Sequence, residues 1–162
     1  MIIRSTAPED FEAVANLIRQ LMPGSSWDSG MLKPIFETAL ASPDQVYVSA
    51  LRGRAVAGFA SMTVRTCLWN AGPIAFIDEL VVDESHRGAG IGSRLLDRLA
   101  EEASERGCRY LELDSAPHRE SAHRFYRDRG FECRALLFSR PLAASAVYRS
   151  GPGGFGEMTS SQ

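Results

Sequence analysis

Lysine is almost missing from this chain, because Lys33 is the single lysine among 18 lysine and arginine residues. The bias indicates a GC-rich coding genome and therefore a bacterial source. A preference of arginine for bidentate anion contacts explains a few positions but not nearly all of them. The formal net charge is -2, which argues against nucleic acid as the main partner, since phosphate binding requires a basic field.

Cysteine, metal-ligand spacings and long hydrophobic runs are also scarce. Cys67, Cys108 and Cys133 form no C-x-x-C pair, so they fit a reduced protein better than a disulfide framework. The histidines stand at no zinc-ligand spacing, and we expect no metal site. Without a membrane-length apolar run or a signal-peptide pattern, we expect a cytoplasmic protein with no membrane partner.

Apolar residues recur at helical and at strand spacing in turn along the chain. Its 162 residues suffice for one domain with a sizeable core. The pattern predicts one domain over 1–142, with the order β-α-α-β-β-β-α-β-α-β, and hence an α+β fold. We expect helices over 8–22, 31–40, 90–105 and 120–129, and strands over 2–4, 46–51, 55–65, 75–82, 109–114 and 131–139. Residues 143–162 are rich in Gly and Ser and predict a flexible tail.

The turn between strand 75–82 and helix 90–105 is rich in glycine. Gly88, Gly90 and Gly92 leave the backbone open to a phosphate, and the dipole of the following helix favours negative charge there. A P-loop is excluded because no lysine follows the glycines. A dinucleotide-binding fold is excluded because the turn follows hairpin-connected strands in mid-chain. The turn therefore suits a pyrophosphate, and a glycine-rich loop without a ligand is the alternative for these glycines taken alone.

Two motifs stand in a fixed order around this turn. The pattern Arg/Gln-x-x-Gly-x-Gly/Ala is met by Arg87, Gly90 and Gly92. The pattern Ala-x-x-Phe/Leu-Tyr-x-x-x-Gly-Phe is met downstream by Ala122, Phe125, Tyr126, Gly130 and Phe131. In these motifs the chain resembles the GNAT superfamily of acetyl-CoA-dependent N-acetyltransferases over roughly residues 2–142. The resemblance implies a mostly antiparallel mixed sheet flanked by helices, with a splayed parallel strand pair in the middle, and final strands that often support a homodimer.

The resemblance also implies how acetyl-CoA is held as the co-substrate. The pantetheine arm would lie between strands 75–82 and 109–114 and pair with the backbone of Leu80, Val81 and Val82. The pyrophosphate would be held by Arg87, Gly88, Ala89, Gly90, Ile91, Gly92 and Ser93. Arg119 stands where many members carry an asparagine that contacts the arm. It could contact a cofactor phosphate or an anionic substrate, or be a solvated residue at the helix start.

Three side chains are the candidates for the chemistry. Tyr126 matches the family tyrosine that protonates the departing thiolate, and a phenol with a pKa of about 10 stays protonated at neutral pH. Glu79 is the preferred base for the amine, because it immediately precedes the pantetheine-binding stretch. Strand alternation would send Asp78 and Glu79 to opposite faces, where Asp78 would attract a cationic substrate. Either acid could equally be a solvent-facing charge.

The acceptor pocket that the resemblance implies is built from residues 23–30 and 66–73. Its candidate contacts are Trp27, Asp28, Cys67 and Trp69, although each aromatic could serve packing alone. The local sequence 119–126 looks like the branch that acetylates small amines, including aminoalkylphosphonates. We therefore expect acetyl transfer to a primary amine of a small molecule by direct attack in a ternary complex. A protein lysine or N-terminal acetyltransferase and a non-catalytic acyl-CoA-binding sensor are the alternatives.

Overall fold

One mixed sheet forms the centre of the molecule. The computed structural model describes residues 1–25 and 28–140. Within them the strands are β1 (Ile2–Ser5), β2 (Gln45–Arg52), β3 (Ala55–Cys67), β4 (Gly72–Val82) and β5 (Leu111–Leu113). They lie side by side in chain order. The pairs from β1 to β4 are antiparallel and β5 is parallel to β4, so the predicted α+β class with a mixed, mostly antiparallel sheet is confirmed.

Helices cover both faces of this sheet. They are α1 (Phe11–Leu21), α2 (Ser29–Ala41), α3 (Ile91–Glu105) and α4 (Glu120–Arg127). A 3-10 turn at Pro8–Asp10 leads into α1, where the carboxylate of Asp10 accepts two bonds from Arg4, at 2.7 and 2.9 Å. Asp28 begins α2, because its Oδ1 accepts from the N–H of Met31 at 2.9 Å. No helix of the described residues is long and apolar enough to cross a membrane.

Two apolar clusters fix the layers. On one face α3 packs on the sheet through Ile91, Leu95, Leu96, Leu99 and Ala103. On the other face α1 and α2 pack through Phe11, Val14, Ala15, Leu17 and Phe36 against Phe59 and Val81 of the sheet. Burial of each Val, Leu, Ile or Phe side chain contributes about 1.5–3 kcal/mol, so both helical layers are held mainly by apolar contact. The phosphate-binding turn predicted from the sequence follows β4 at the start of α3.

Gly58 allows α3 to approach the sheet closely. A Cβ at this position of β3 would lie 2.9 Å from Cγ2 of Ile91 and 3.1 Å from Cδ1 of Leu95. Ile91 and Leu95 are both fully buried, with 1% and 0% of their surface exposed. The first turn of α3 is therefore seated where only a glycine leaves room, and this contact sets the height of the helix N-terminus above the sheet.

The predicted last strand is not confirmed. The structure assigns no strand to residues 131–140, and they pair with none of the five described strands. Leu136 and Phe138 are 79% and 88% exposed. The prediction rested on β-prone side chains, and such residues form a strand only where a neighbouring strand edge pairs with them. The predicted tail over 143–162 lies outside the described residues.

Candidate active site

The turn after β4 has a backbone conformation that favours glycine. Gly88 and Gly90 have φ angles of 78° and 76°, in the left-handed region that costs other residues about 1–2 kcal/mol. A Cβ at either position would meet nothing within 4 Å. Glycine is therefore favoured here by the backbone and not by crowding from the protein. Gly92 differs, because its φ is ordinary and a Cβ would lie 3.6 Å from Phe125 and Val82.

The amides of this turn are free to bind a ligand. Among the described residues, the backbone N–H groups of residues 88–93 donate to no carbonyl or side chain, and the first bond of α3 is the N–H of Arg94 to the carbonyl of Gly90 at 3.3 Å. Unpaired N–H groups at a helix N-terminus, together with the helix dipole, favour an anion. Arg87 lies exposed beside them, and its Nε donates to the carbonyl of Val82 at 3.4 Å. The geometry fits a pyrophosphate.

β4 and β5 separate immediately before this turn. Their parallel pairing runs only from Ala75↔Leu111 to Ile77↔Leu113, and the later residues of β4 pair with β3 alone among the described strands. The N–H of Asp83 donates to the carbonyl of Ala57 in the β3 chain at 3.0 Å. By alternation, the backbone of Val81 also faces β3, whereas that of Leu80 and Val82 faces the gap. Leu80 and Val82, rather than Val81, can therefore bond a ligand in the gap.

A β-bulge at Asp78 corrects the expectation that Asp78 and Glu79 point to opposite faces. Ser61 of β3 stands opposite Glu79, while the next residue, Met62, stands opposite Ile77. Asp78 is therefore an extra residue without a partner, and alternation restarts after it. Its carboxylate accepts from Thr63 and that of Glu79 accepts from Ser61, and these two hydroxyls lie on the same face of β3. Both acids consequently point to the side covered by α1 and α2.

The two carboxylates share a groove with a tyrosine that the sequence analysis missed. This groove has a volume of about 500 Å³. Its described lining consists of Pro34, Ile35, Thr38, Ala39, Gln45, Tyr47, Thr63, Asp78 and Glu79. That lining contains two acids and no basic side chain. Tyr47 lies edge-on to Phe59, with ring centroids 5.2 Å apart. Nothing in the sequence around Tyr47 distinguishes it from an ordinary strand residue.

Burial raises the pKa of every acid in this groove. It raises the pKa of Asp78, although the bond from Thr63 at 2.6 Å opposes the change. Burial likewise raises the pKa of Glu79, and the charge of Asp78 adds to this while the Ser61 hydroxyl opposes it. Burial and the two carboxylates raise the pKa of Tyr47 to about 12. Glu79 can therefore exchange a proton closer to neutrality than an exposed glutamate does.

Tyr126 lies within an aromatic group that joins α4 to the core. The centroid of its ring lies 5.3 Å from that of Phe125 and 5.7 Å from that of Phe131, and both pairs of rings meet edge-on. Phe125 in turn contacts the position of Gly92 in the glycine turn. Burial raises the pKa of Tyr126, while the nearby charge of Arg119 opposes the change. The phenol therefore stays protonated at neutral pH, as a proton donor requires.

Arg119 has a partner that the sequence did not indicate. Its Nη2 donates to the carbonyl of Leu21, the last residue of α1, at 2.8 Å. The side chain thereby connects the start of α4 to α1. Nearby, Arg129 stacks on the ring of Phe125, 3.9 Å from its centroid, and donates to the hydroxyl of Ser93. Arg129 thus brings a further positive charge to the turn, which the sequence analysis did not select.

Three of the other predicted acceptor contacts, Asp28, Cys67 and Trp69, do not line the groove. Trp69 is 75% exposed in the connection between β3 and β4, at the opposite end of β4 from the glycine turn. Cys67 ends β3 beside that connection. The carboxylate of Asp28 caps α2 and lines no part of the groove. Trp27 lies outside the described residues. Contacts from these four residues to an acceptor stay predictions.

A parallel strand pair that opens beside an amide-lined turn defines the acyl-CoA N-acyltransferase class of fold. The sequence matches the acetyltransferase (GNAT) family over residues 11–131, and the chain belongs to this family. It is an N-acetyltransferase that uses acetyl-CoA as its co-substrate. The family and the cofactor expected from the two motifs are thereby confirmed.

Known relatives support this assignment. The chain is 34% identical over 140 residues to the aminoalkylphosphonate N-acetyltransferase of Salmonella typhimurium, covering 86% of this chain and 90% of the relative. It is 31% identical over 119 residues to glucosamine 6-phosphate N-acetyltransferase 1 of Oryza sativa subsp. japonica, covering 71% and 70%. The solved glucosamine-6-phosphate N-acetyltransferase of Arabidopsis thaliana has the same fold, with a TM-score of 0.75, 22% identity and coverage of 86% and 97%.

Proposed function

We propose that the protein transfers the acetyl group of acetyl-CoA to a primary amine of a small molecule by direct attack in a ternary complex. The observation that carries this proposal is the bulge at Asp78. It places two carboxylates in one groove immediately before the strand edge at Leu80 and Val82, where a cofactor arm can pair. An amine bound in the groove would meet the acetyl group at the point where β4 and β5 separate.

Each part of the cofactor site has a defined task. The amides of residues 88–93 and the charge of Arg87 hold the pyrophosphate. Backbone groups of Leu80 and Val82 hold the pantetheine arm, and an N–H of this edge stabilises the negative charge that develops on the acetyl oxygen. Acetyl-CoA supplies the activated thioester. None of these tasks requires a side chain other than that of Arg87, which explains why glycine dominates the turn.

The protons are handled by two side chains. A primary amine is mostly an ammonium ion at neutral pH and must lose a proton before it can attack. Glu79 accepts that proton, because burial and the charge of Asp78 raise its pKa towards neutrality. Tyr126 donates a proton to the departing thiolate of coenzyme A. Direct attack is favoured because no motif places a cysteine next to Tyr126.

The charge of the groove indicates a cationic acceptor. Its described lining holds Asp78 and Glu79 and no basic side chain, which attracts an ammonium group and repels a phosphonate or phosphate. The two relatives named above act on acceptors that carry such an anionic group. Arg119, which could contact such a group, donates to the carbonyl of Leu21 and is not part of this lining. We therefore propose that this chain prefers an amine that carries no phosphate or phosphonate.

The proposal is tested by thiol release from acetyl-CoA in the presence of paired amines. 1,3-Diaminopropane and 2-aminoethylphosphonate form the first pair, and glucosamine and glucosamine 6-phosphate form the second. A lysine-containing peptide is the protein-like arm. We expect release with the uncharged or cationic member of each pair. Release with the phosphorylated members alone would refute the cationic preference. Coenzyme A binding without release from any amine would identify a sensor instead.

The base is tested by Glu79→Gln. With the best amine, wild-type kcat/KM should rise with pH as Glu79 deprotonates. The variant should lose this rise, keep only the rise at higher pH that comes from deprotonation of the free amine, and lose about two orders of magnitude in kcat. Asp78→Asn is the matched control, because it removes the neighbouring charge and leaves the base. It should keep a pH-dependent rate and raise the KM of the amine about tenfold. An unchanged pH profile in Glu79→Gln would exclude Glu79 as the base.

A further inference from the structure

The last turn of α1 contacts the connection that leads into the glycine turn. Nε2 of Gln20 donates to Oδ2 of Asp83 at 3.0 Å, and Oε1 of Gln20 accepts from the N–H of Glu84 at 3.1 Å. One side-chain amide therefore uses both its donor and its acceptor on neighbouring residues that are more than 60 positions away in the sequence. The bond to Asp83 is partly buried and so partly shielded from water, whereas the bond from Glu84 is exposed.

Most other contacts of this connection are local, such as the N–H of His86 to the carbonyl of Asp83 at 2.8 Å and Nδ1 of His86 beside Oδ1 of Asp83 at 3.4 Å. Asp83 is fixed by its own N–H, which donates to the carbonyl of Ala57 at 3.0 Å, and its Oδ1 accepts from the N–H of Ser85 at 3.0 Å. The 3-10 turn Glu84–His86 follows. Beyond it, the amides of residues 88–93 have no partner among the described residues. Their direction therefore depends on the packing of α3 over Gly58 at one end and on the anchoring of the 3-10 turn at the other.

The contact is complementary in chemistry. Asp83 can only accept when ionised, and bonds from Ser85 and Gln20 hold its pKa well below its usual range, so it accepts throughout the neutral range. The side-chain amide of Gln20 supplies both a donor to that carboxylate and an acceptor to the N–H of Glu84. A glutamate at position 20 would keep the acceptor but place a second carboxylate against Asp83. A leucine would keep the bulk and lose both bonds.

We propose that Gln20 is a positioning residue for acetyl-CoA. It anchors the 3-10 turn Glu84–His86 to α1 and thereby presets the amides that hold the pyrophosphate, without contacting the cofactor. The inference rests on the proposed pyrophosphate site. The neighbouring bond from Arg119 to the carbonyl of Leu21 attaches α4 to the same turn of α1, so this end of α1 connects the cofactor turn with the helix that bears Tyr126.

The test measures the dissociation constant of coenzyme A by titration calorimetry. Loss of two hydrogen bonds predicts affinity that is about 5–30-fold weaker in Gln20→Leu, with a parallel rise in the KM of acetyl-CoA. The kcat should stay within about twofold and the KM of the amine should not change, because Gln20 contacts neither reacting group. Gln20→Glu should weaken binding comparably at neutral pH. Glu12→Gln is the control, an exposed position on the same helix that should bind as wild type does.

A double-mutant cycle identifies the route. If Gln20 acts through Asp83, the double variant Gln20→Leu/Asp83→Ala should bind coenzyme A about as weakly as the weaker single variant. Fully additive losses would overturn that route. Wild-type affinity in both Gln20 variants would overturn the positioning role while leaving the proposed function intact. A folded wild-type protein that gives no heat with coenzyme A would overturn the proposed function, and the positioning role with it.

Discussion

The replacement Gly58→Ala tests whether the close approach of α3 to the sheet sets up the cofactor site. The new Cβ would lie 2.9 Å from Cγ2 of Ile91, 3.1 Å from Cδ1 of Leu95 and 3.2 Å from the carbonyl oxygen of Val81. Carbon atoms pack comfortably at about 3.5–4.0 Å, so α3 must retreat by about 0.6 Å. The buried side chains cannot swing into solvent. Overpacking of this kind costs about 1–3 kcal/mol.

Thermal unfolding and coenzyme A titration measure the two consequences of this change. A loss of 1 kcal/mol lowers Tm by about 2–4 °C in a domain of this size, so we expect a fall of about 2–12 °C. Coenzyme A affinity should fall as well, because Ile91 carries one of the amides of the turn. Gly72→Ala is the matched control in a strand, since its Cβ would lie 3.6 Å from the flexible side chain of Arg109. Wild-type Tm and affinity in Gly58→Ala would refute the reasoning.

Three further predictions concern the backbone of the glycine turn, proton transfer and stability. Gly90→Ala should weaken coenzyme A binding about 5–30-fold, because its φ of 76° costs alanine about 1–2 kcal/mol. The control Gly92→Ala should bind coenzyme A within about twofold of wild type. Equal affinities of the two variants for coenzyme A would exclude the conformational explanation. Tyr126→Phe should lower kcat by about two orders of magnitude with coenzyme A affinity unchanged, and an unaffected kcat would remove Tyr126 from the mechanism. Asp10→Asn should cost about 1–3 kcal/mol in urea unfolding at pH 7. Burial opposes ionisation of Asp10, but the bonds from Arg4 outweigh it and lower the pKa, so this stabilisation is present above about pH 4 and is lost as pH falls through the lowered value; a difference that persists in acid would contradict it.

The cofactor side of the site could be predicted from sequence because it is local. The strand, the glycine turn and the helix that follows are contiguous, and each has its own signal: β-prone residues, glycines and an apolar stripe. The predicted boundaries of α3 agree with the structure to within one residue. A positive φ at Gly88 and Gly90 is a property of the chain itself, so no distant residue had to be known to predict the turn.

The acceptor side could not be predicted because distant segments build it. Tyr47 on β2, Thr63 on β3 and Asp78 on β4 meet only through the register of the sheet. The partner of Arg119, the carbonyl of Leu21, is 98 residues away in sequence. The sequence around Arg119 and around Leu21 contains no pattern that indicates this hydrogen bond. Trp69, selected from sequence as an aromatic in a loop, is instead exposed at the far end of β4.

The bulge at Asp78 shows how one residue links the two sides. The side chain of Ile77, before the bulge, and that of Leu80, after it, both point into the apolar cluster beneath α3. These two residues are three positions apart, whereas residues on the same face of a regular strand are two positions apart. Regular alternation would therefore have sent Glu79 into that apolar cluster, where an ionised carboxylate is very costly. With the extra residue, Glu79 enters the groove and the backbone of Leu80 faces the gap. The same shift thus provides the proposed base and the proposed cofactor edge, because side chains and backbone groups of a strand alternate together.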